Sequence, residues 1–194
     1  MLDQAGLGTI PHGVVIASIT ADSRAVGPGA LFAALPGTQA DGRGFIADAV
    51  ARGAAAVLAP TGTVWPEGVP PCPLILHPEP RRALALLAAA YAGAQPRTVV
   101  AVTGTNGKTS TAEFLRQLYA AAGLGAASLG TLGVVARGWD AEAGLTTPDP
   151  VALAAILRAS PTREWRPPPS RRRRTGSTSS GWMACAFPPP ASAI

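Results

Sequence analysis

Between Thr98 and Gly123 the chain reads TVVAVTGTNGKTSTAEFLRQLYAAAG: an apolar strand-like run, a GTNG turn and a helical stretch closed by glycine. This order constrains the fold more than any other feature. A buried strand that turns within a few residues into a helix belongs to a layered α/β arrangement, with the turn at the strand's carboxyl end. Gly104 and Gly107 supply backbone freedom there and let the turn's N–H groups point inward. The helix then opens with Lys108, the only lysine in a chain with fifteen arginines. A cation at a helix start opposes the helix dipole by roughly 0.3–1 kcal/mol, so this lysine needs a compensating partner.

A phosphate chain is that partner. The spacing G-x-x-G-K-T is shorter than the common G-x-x-x-x-G-K-T, because Val102 stands where the longer form has its first glycine. Inward N–H groups and the helix N-terminus form a cradle for phosphate oxygens. Lys108 adds a compact, mobile charge between β- and γ-phosphates that a planar guanidinium does not imitate. The Thr109 hydroxyl is placed as a ligand for Mg²⁺. A nucleoside triphosphate is the expected ligand; a chance Gly-Lys-Thr in a glycine-rich chain is the competing reading.

Before this unit, strand and helix patterns alternate. VVIASIT and ALFAALPG read as strands, with the turn-rich ADSRAVGPG between them. DGRGFIADAVARG reads as a helix with Phe45, Ile46, Ala49 and Val50 on one face, and AAAVLAP as a strand. PEPRRALALLAAAYAG has proline in its first turn and glycine at its end, a helix by both marks. After the loop, Leu115, Leu118, Tyr119 and Ala122 share a helical face, AASLGTLGVV is a strand–turn–strand candidate, and VALAAILRAS a helix starting just after Pro150. His12 and His77 read as solvated loop residues.

GTNGKTS resembles the phosphate loop of the Mur ligases and their relative folylpolyglutamate synthase. The segment TADSRAVGPGALFAALPGTQADGRGFIADAVARGAAAVLA is similar to the N-terminal UDP-binding domain of Mur ligases alone. Together with SLGTLG and LTTPDP it resembles most the members that add the third stem-peptide residue. The resemblance covers residues 15–159. It implies an α/β fold: an N-terminal UDP-muramoyl-peptide-binding domain over residues 1–95, then the start of a P-loop central ATP-binding domain over 96–160. It also implies an ATP-dependent ligase of peptidoglycan precursor synthesis. Such enzymes phosphorylate the D-glutamyl carboxylate of UDP-N-acetylmuramoyl-L-Ala-D-Glu and trap the acyl phosphate with an amine, here diaminopimelate or lysine.

Carried over by position, Gly104, Thr105, Asn106, Gly107, Lys108, Thr109 and Ser110 hold ATP, with Lys108 catalytic and Thr109 on Mg²⁺. Ala21 and Ser23 of ADSR, and Gln39 and Ala40 of TQADGR, touch the UDP substrate. Thr146 and Thr147 of LTTPDP face the muramoyl-peptide. Thr38 and Leu145 stand where the family often has histidine and asparagine.

From Pro161 onward six arginines face one glutamate, which accounts for the whole net charge of +5; the remainder is neutral. This tail has neither helical nor strand period and reads as disordered, residues 161–194. Read from the last base of each codon and two bases of the next, residues 163–187 permit the Glu-Ala-Ser-Ser-His-Gly continuation that the family carries after TTPDP. At Trp182-Met183-Ala184 the shifted codons leave no freedom and give Asp-Gly. The expectation is a frameshift near residues 156–162 and a chain without ligase activity by itself. An arginine-rich arm for nucleic acid is the bland alternative, and a stand-alone P-loop nucleotide binder or another Mur-type ligase the others. Two distant cysteines, no cationic-apolar leader and no apolar run long enough for a bilayer predict a cytoplasmic protein without a membrane partner; a monomer without a nucleic-acid partner is the accompanying expectation.

Overall fold

The computed structural model describes residues 13–37, 40–96, 98–136, 148–159 and the backbone of 183–187. It divides into two compact units, Met1–Tyr91 and Ala92–Ile194.

The first unit is a four-stranded sheet of β1 (Ser18–Thr20), β2 (Ala30–Ala33), β3 (Ala54–Pro60) and β4 (Leu74–His77), all parallel and in chain order. Parallel strands buried on both faces read as continuous apolar runs, which is why ALFA and AAAVLAP carry no polar alternation. One face is a cluster of Val26, Ala30, Phe32, Ala34, Ile46, Ala49, Val57 and Ala59. The alternate residues Leu31, Ala33, Ala56 and Leu58 are equally buried, so the other face is covered too. Helix α1 (Ile46–Ala51) supplies Ile46 and Ala49, preceded by a 3-10 turn at Gly42–Phe45. Phe45, expected on that apolar face, is instead exposed, because the chain there is still in the tighter 3-10 turn. Helix α2 (Pro80–Ala92) starts on its proline and buries Ala83, Leu84, Leu87, Ala88 and Ala92.

β4 and His77 depart from expectation. PCPLILHP has prolines on both sides, which masked a four-residue strand on the sheet's edge. His77 ends that strand and is 8% exposed; its Nδ1 accepts the Glu79 N–H at 2.9 Å, so it caps the entry to α2 and is not a solvated loop residue. His12 lies outside the described residues.

In the second unit the strand order is β5 (Thr98–Val102), β8 (Met183–Phe187), β6 (Ala127–Gly130) and β7 (Gly133–Ala136). β8 runs antiparallel to β5 and to β6, so those two are parallel to each other with one strand between them. Helix α3 (Lys108–Ala121) joins β5 to β6, and α4 (Pro150–Ala159) follows later. α3 buries Ala112 against Ala126, with Leu115 and Tyr119 packed on them. Leu118, read as part of that face, is 66% exposed, as is Phe114 at 63%. The true stripe is 112, 115 and 119, narrower than the sequence pattern suggested.

The strand β8 corrects the reading of 161–194 as wholly without structure. Met183–Phe187 is an apolar run of strand length bounded by glycine and prolines, and it pairs in register from Thr98↔Phe187 to Val102↔Met183. Averaging it with the polar, arginine-rich residues before it hid the run. The rest of that tail lies outside the described residues.

Candidate functional site

β5 ends at Val102, and the turn that follows carries Gly104 at φ +143° and Gly107 at φ +77°. Both values lie where side chains with a Cβ are strained, which is the physical reason for glycine at both positions. Gly107 is the N-cap of α3, and a glycine cap offers no side-chain acceptor to the first N–H groups of the helix. Three other described helical starts carry an acidic cap. Asp22 caps the turn at Ser23–Ala25, Asp41 that at Gly42–Phe45, and Asp149 Oδ1 accepts the N–H groups of Val151 and Ala152, each at 2.9 Å. α3 alone of these has neither an acidic cap nor an acidic residue in its first turn. Its amino end therefore keeps its positive potential for an anion from outside.

Residues 103–107 and Ser110 are exposed, while Lys108 and Thr109 are half-buried. The Lys108 ammonium donates to the carbonyl oxygens of Gly104 and, at 3.3 Å, Thr105. It is folded back over the loop it would use to grip phosphate. Thr109 Oγ1 lies 3.1 Å from the hydroxyl of Thr131, in the turn between β6 and β7. One turn further along α3, Glu113 accepts from Arg116 Nε at 2.9 Å, Gln117 Nε2 at 3.0 Å and Ser128 Oγ at 3.2 Å. The Arg116 hydrogen bonds, with Gln117 and Ser128, hold its carboxyl down at about 2. Glu113 is thus committed to bracing α3 on β6. Among the described residues no group of three or more His, Cys, Asp and Glu side chains could hold a metal ion, so Thr109 remains the one described candidate ligand named by the sequence.

The first unit holds the other candidates. Ala21 and Ser23 follow the carboxyl end of β1, and Ala40 follows that of its parallel neighbour β2, so topology brings them to one edge of the sheet. Each of the two turns is built by the same device. Asp22 accepts from the Arg24 N–H at 3.2 Å and from Arg24 Nε at 3.0 Å; Asp41 accepts from the Arg43 N–H and Nε, both at 3.0 Å. The guanidinium of Arg43 pulls the Asp41 carboxyl down to about 2. The base of the second turn is pinched by Gly37 N–H to Ala40 O at 3.1 Å and Gly42 N–H to Leu35 O at 2.9 Å. Arg81, at the start of α2, donates to Pro36 O at 2.6 Å from outside. Ala21 and Ala40 are exposed and Ser23 half-buried. Gln39, Thr146 and Thr147 lie outside the described residues.

Sequence reading missed Thr131, Arg81 and the Glu113–Ser128 brace. The D-x-R spacing was visible in ADSR and ADGR; the other three depend on residues distant in the chain.

The family signature described as "Mur ligase family, catalytic domain" matches residues 15–92, and "Mur ligase middle domain" matches 102–164. The chain is 53% identical over 151 residues to the UDP-N-acetylmuramoyl-L-alanyl-D-glutamate--2,6-diaminopimelate ligase of Chelativorans sp. (strain BNC1), covering 78% of this chain and 31% of that protein. The protein of the same name from Caulobacter vibrioides is 54% identical over 149 residues, 74% of this chain and 30% of its own length. A solved structure of a ligase with that name superimposes with TM-score 0.64 at 26% identity, covering 80% of this chain and 32% of its own. The chain thus spans about a third of the length of the curated relatives it matches. Among the described residues no helix is long and apolar enough to cross a membrane.

Proposed function

Since the chain belongs to the Mur ligase family, we propose that its activity is the ATP-dependent ligation that adds the third stem-peptide residue to UDP-N-acetylmuramoyl-L-Ala-D-Glu. The observation that carries this reading is the uncapped amino end of α3, opened by two positive-φ glycines and Lys108, in a chain half identical to ligases of that name. The backbone N–H groups of residues 104–110 bind the β- and γ-phosphates, and Lys108 swings from the Gly104 and Thr105 carbonyls onto them. There its charge offsets what builds up on the transferred phosphoryl group. The Thr109 hydroxyl fits one ligand position of Mg²⁺, which when bound supplies further charge neutralisation at the phosphates.

In the first half-reaction the D-glutamyl carboxylate attacks the γ-phosphorus and ADP leaves. In the second, an amine attacks the acyl carbon, phosphate leaves, and the amine gives up a proton to form the amide. The names of the relatives favour diaminopimelate as that amine over lysine. Ala21, Ser23 and Ala40, at the carboxyl edge of the first sheet, hold the UDP moiety; by resemblance to the family, Gln39 takes part in the same contact and Thr146 and Thr147 serve the muramoyl-peptide. The protein acts as a cytoplasmic monomer without a nucleic-acid partner, in keeping with the neutral balance of residues before Pro161.

The frame reading of the tail belongs to the same proposal: the residues that complete the metal and amine sites are encoded one base away. Phosphate release from ATP, with UDP-N-acetylmuramoyl-L-Ala-D-Glu and diaminopimelate, is to be measured on this chain and on a version continued past residue 162 in the neighbouring frame. Turnover by the continued version only, and only with all three substrates, is the expected result. Equal turnover by both would overturn the frame reading. ATP hydrolysis indifferent to the muramoyl substrate would overturn the ligase reading.

A further inference from the structure

The turn of SLGTLG has no role in the reading above, yet it reaches the phosphate loop. Thr131 sits between the paired residues Gly130 and Gly133 of the β6–β7 hairpin, and its hydroxyl is 3.1 Å from Thr109 Oγ1. The two residues are 22 apart in sequence and on different elements, so only the fold joins them. The hairpin is anchored, since Glu113 of α3 holds Ser128 of β6, and the turn is fixed relative to the helix that carries Thr109.

A threonine hydroxyl has one proton and two lone pairs. For its oxygen to face a cation, the proton must point away and be accepted elsewhere. Left without an acceptor, the hydroxyl rotates freely and presents its proton to the cation in part of its orientations. We propose that Thr131 is a positioning residue for the phosphate loop: it accepts the Thr109 proton and so keeps a Thr109 lone pair turned to the divalent cation that accompanies the nucleotide. This rests on the nucleotide reading of the loop, and deepens it by adding a residue from outside the G-x-x-G-K-T motif.

The test is ADP binding by the full 194-residue chain and by the version continued past residue 162 in the neighbouring frame, each titrated with saturating Mg²⁺ and again with EDTA, for the wild type, Thr131→Val and Thr131→Ser. Valine has nearly the shape of threonine without the hydroxyl, and residue 131 is exposed, so folding is not at stake; circular dichroism checks it. In the wild type Mg²⁺ tightens ADP. Thr131→Val is expected to cut that tightening by roughly two- to tenfold, the worth of one hydrogen bond, with the EDTA affinity unchanged. Thr131→Ser is expected to restore it. A valine variant with the wild-type Mg²⁺ effect, or one that weakens ADP equally with and without Mg²⁺, would overturn the positioning role. A wild type that binds no ADP in either version would instead overturn the nucleotide reading, and the role of Thr131 with it.

Discussion

Two glycines of one short turn, Gly42 and Gly44, should respond oppositely to the same substitution. A Cβ on Gly42 would lie 2.6 Å from Leu35 O, 2.7 Å from Leu35 N and 3.0 Å from Ala34 C, all backbone atoms that cannot rotate aside. Relief requires the strand end at Leu35 to move by about half an ångström, a strain of roughly 1–3 kcal/mol by analogy with overpacked cores. The same movement breaks the 2.9 Å bond from Gly42 N–H to Leu35 O, a further loss of about 1 kcal/mol. Against this, alanine restricts the unfolded chain and returns about 0.5 kcal/mol. Gly42→Ala is therefore expected to cost about 1.5–3.5 kcal/mol. Gly44 meets nothing within 4 Å and has no positive φ, so Gly44→Ala should be neutral or stabilising by about 0.5 kcal/mol. Native-state hydrogen exchange of β2 and β3 amides in the full chain reads the opening free energy of this unit. Gly42→Ala within about 0.5 kcal/mol of wild type, or Gly44→Ala as the costlier change, would refute the steric account, since the size expected comes from these contacts alone.

Lys108→Ala in a ligation-competent version is expected to lower kcat by roughly 10²–10³-fold, one transition-state charge contact, and Lys108→Arg to be damaging too, because the fork is wider than the gap an ammonium fills; steady-state kinetics checks both. The Glu113 carboxyl is held below its ordinary value, to about 2, so its contribution is fully present above about pH 4.5 and is lost as pH falls toward 2. With its side chain about a quarter exposed, that contribution is about 1 kcal/mol after screening. Thermal unfolding between pH 2.5 and 6 should accordingly show a weaker acid dependence in Glu113→Gln.

What could be read from sequence was what local backbone chemistry dictates. Gly104 and Gly107 are glycine for a backbone reason, and Ala30–Ala33 and Ala54–Pro60 are apolar throughout because both faces of a parallel sheet are buried. β4 was illegible because its prolines look like loop. Leu118 was misplaced because a helical stripe predicts burial only if something lies against all of it, and here the covering narrows to Ala112, Leu115 and Tyr119. The contacts of Thr131 and Arg81 carried no signal, since a hydroxyl pair 22 residues apart and a guanidinium on a carbonyl 45 residues away are properties of the fold. Family resemblance, borne out by the match to both Mur ligase signatures, supplied the proposed substrate positions, which spacing alone did not suggest.

The placement of β8 ties the phosphate loop to the order of folding events. β5, the strand that ends in that loop, has β8 as its ladder partner in the four-stranded sheet, and Val99 waits for Ala186. The β6–β7 hairpin closes over two residues and forms early. Joining β5 to β8 closes a loop of some eighty residues, at an entropic cost of about 4 kcal/mol from its length. The first unit's neighbouring strands meet over much shorter spans. In the chain as it stands, the strand that leads into the nucleotide loop is thus paired late, and by a segment that a continuation in the neighbouring frame would replace.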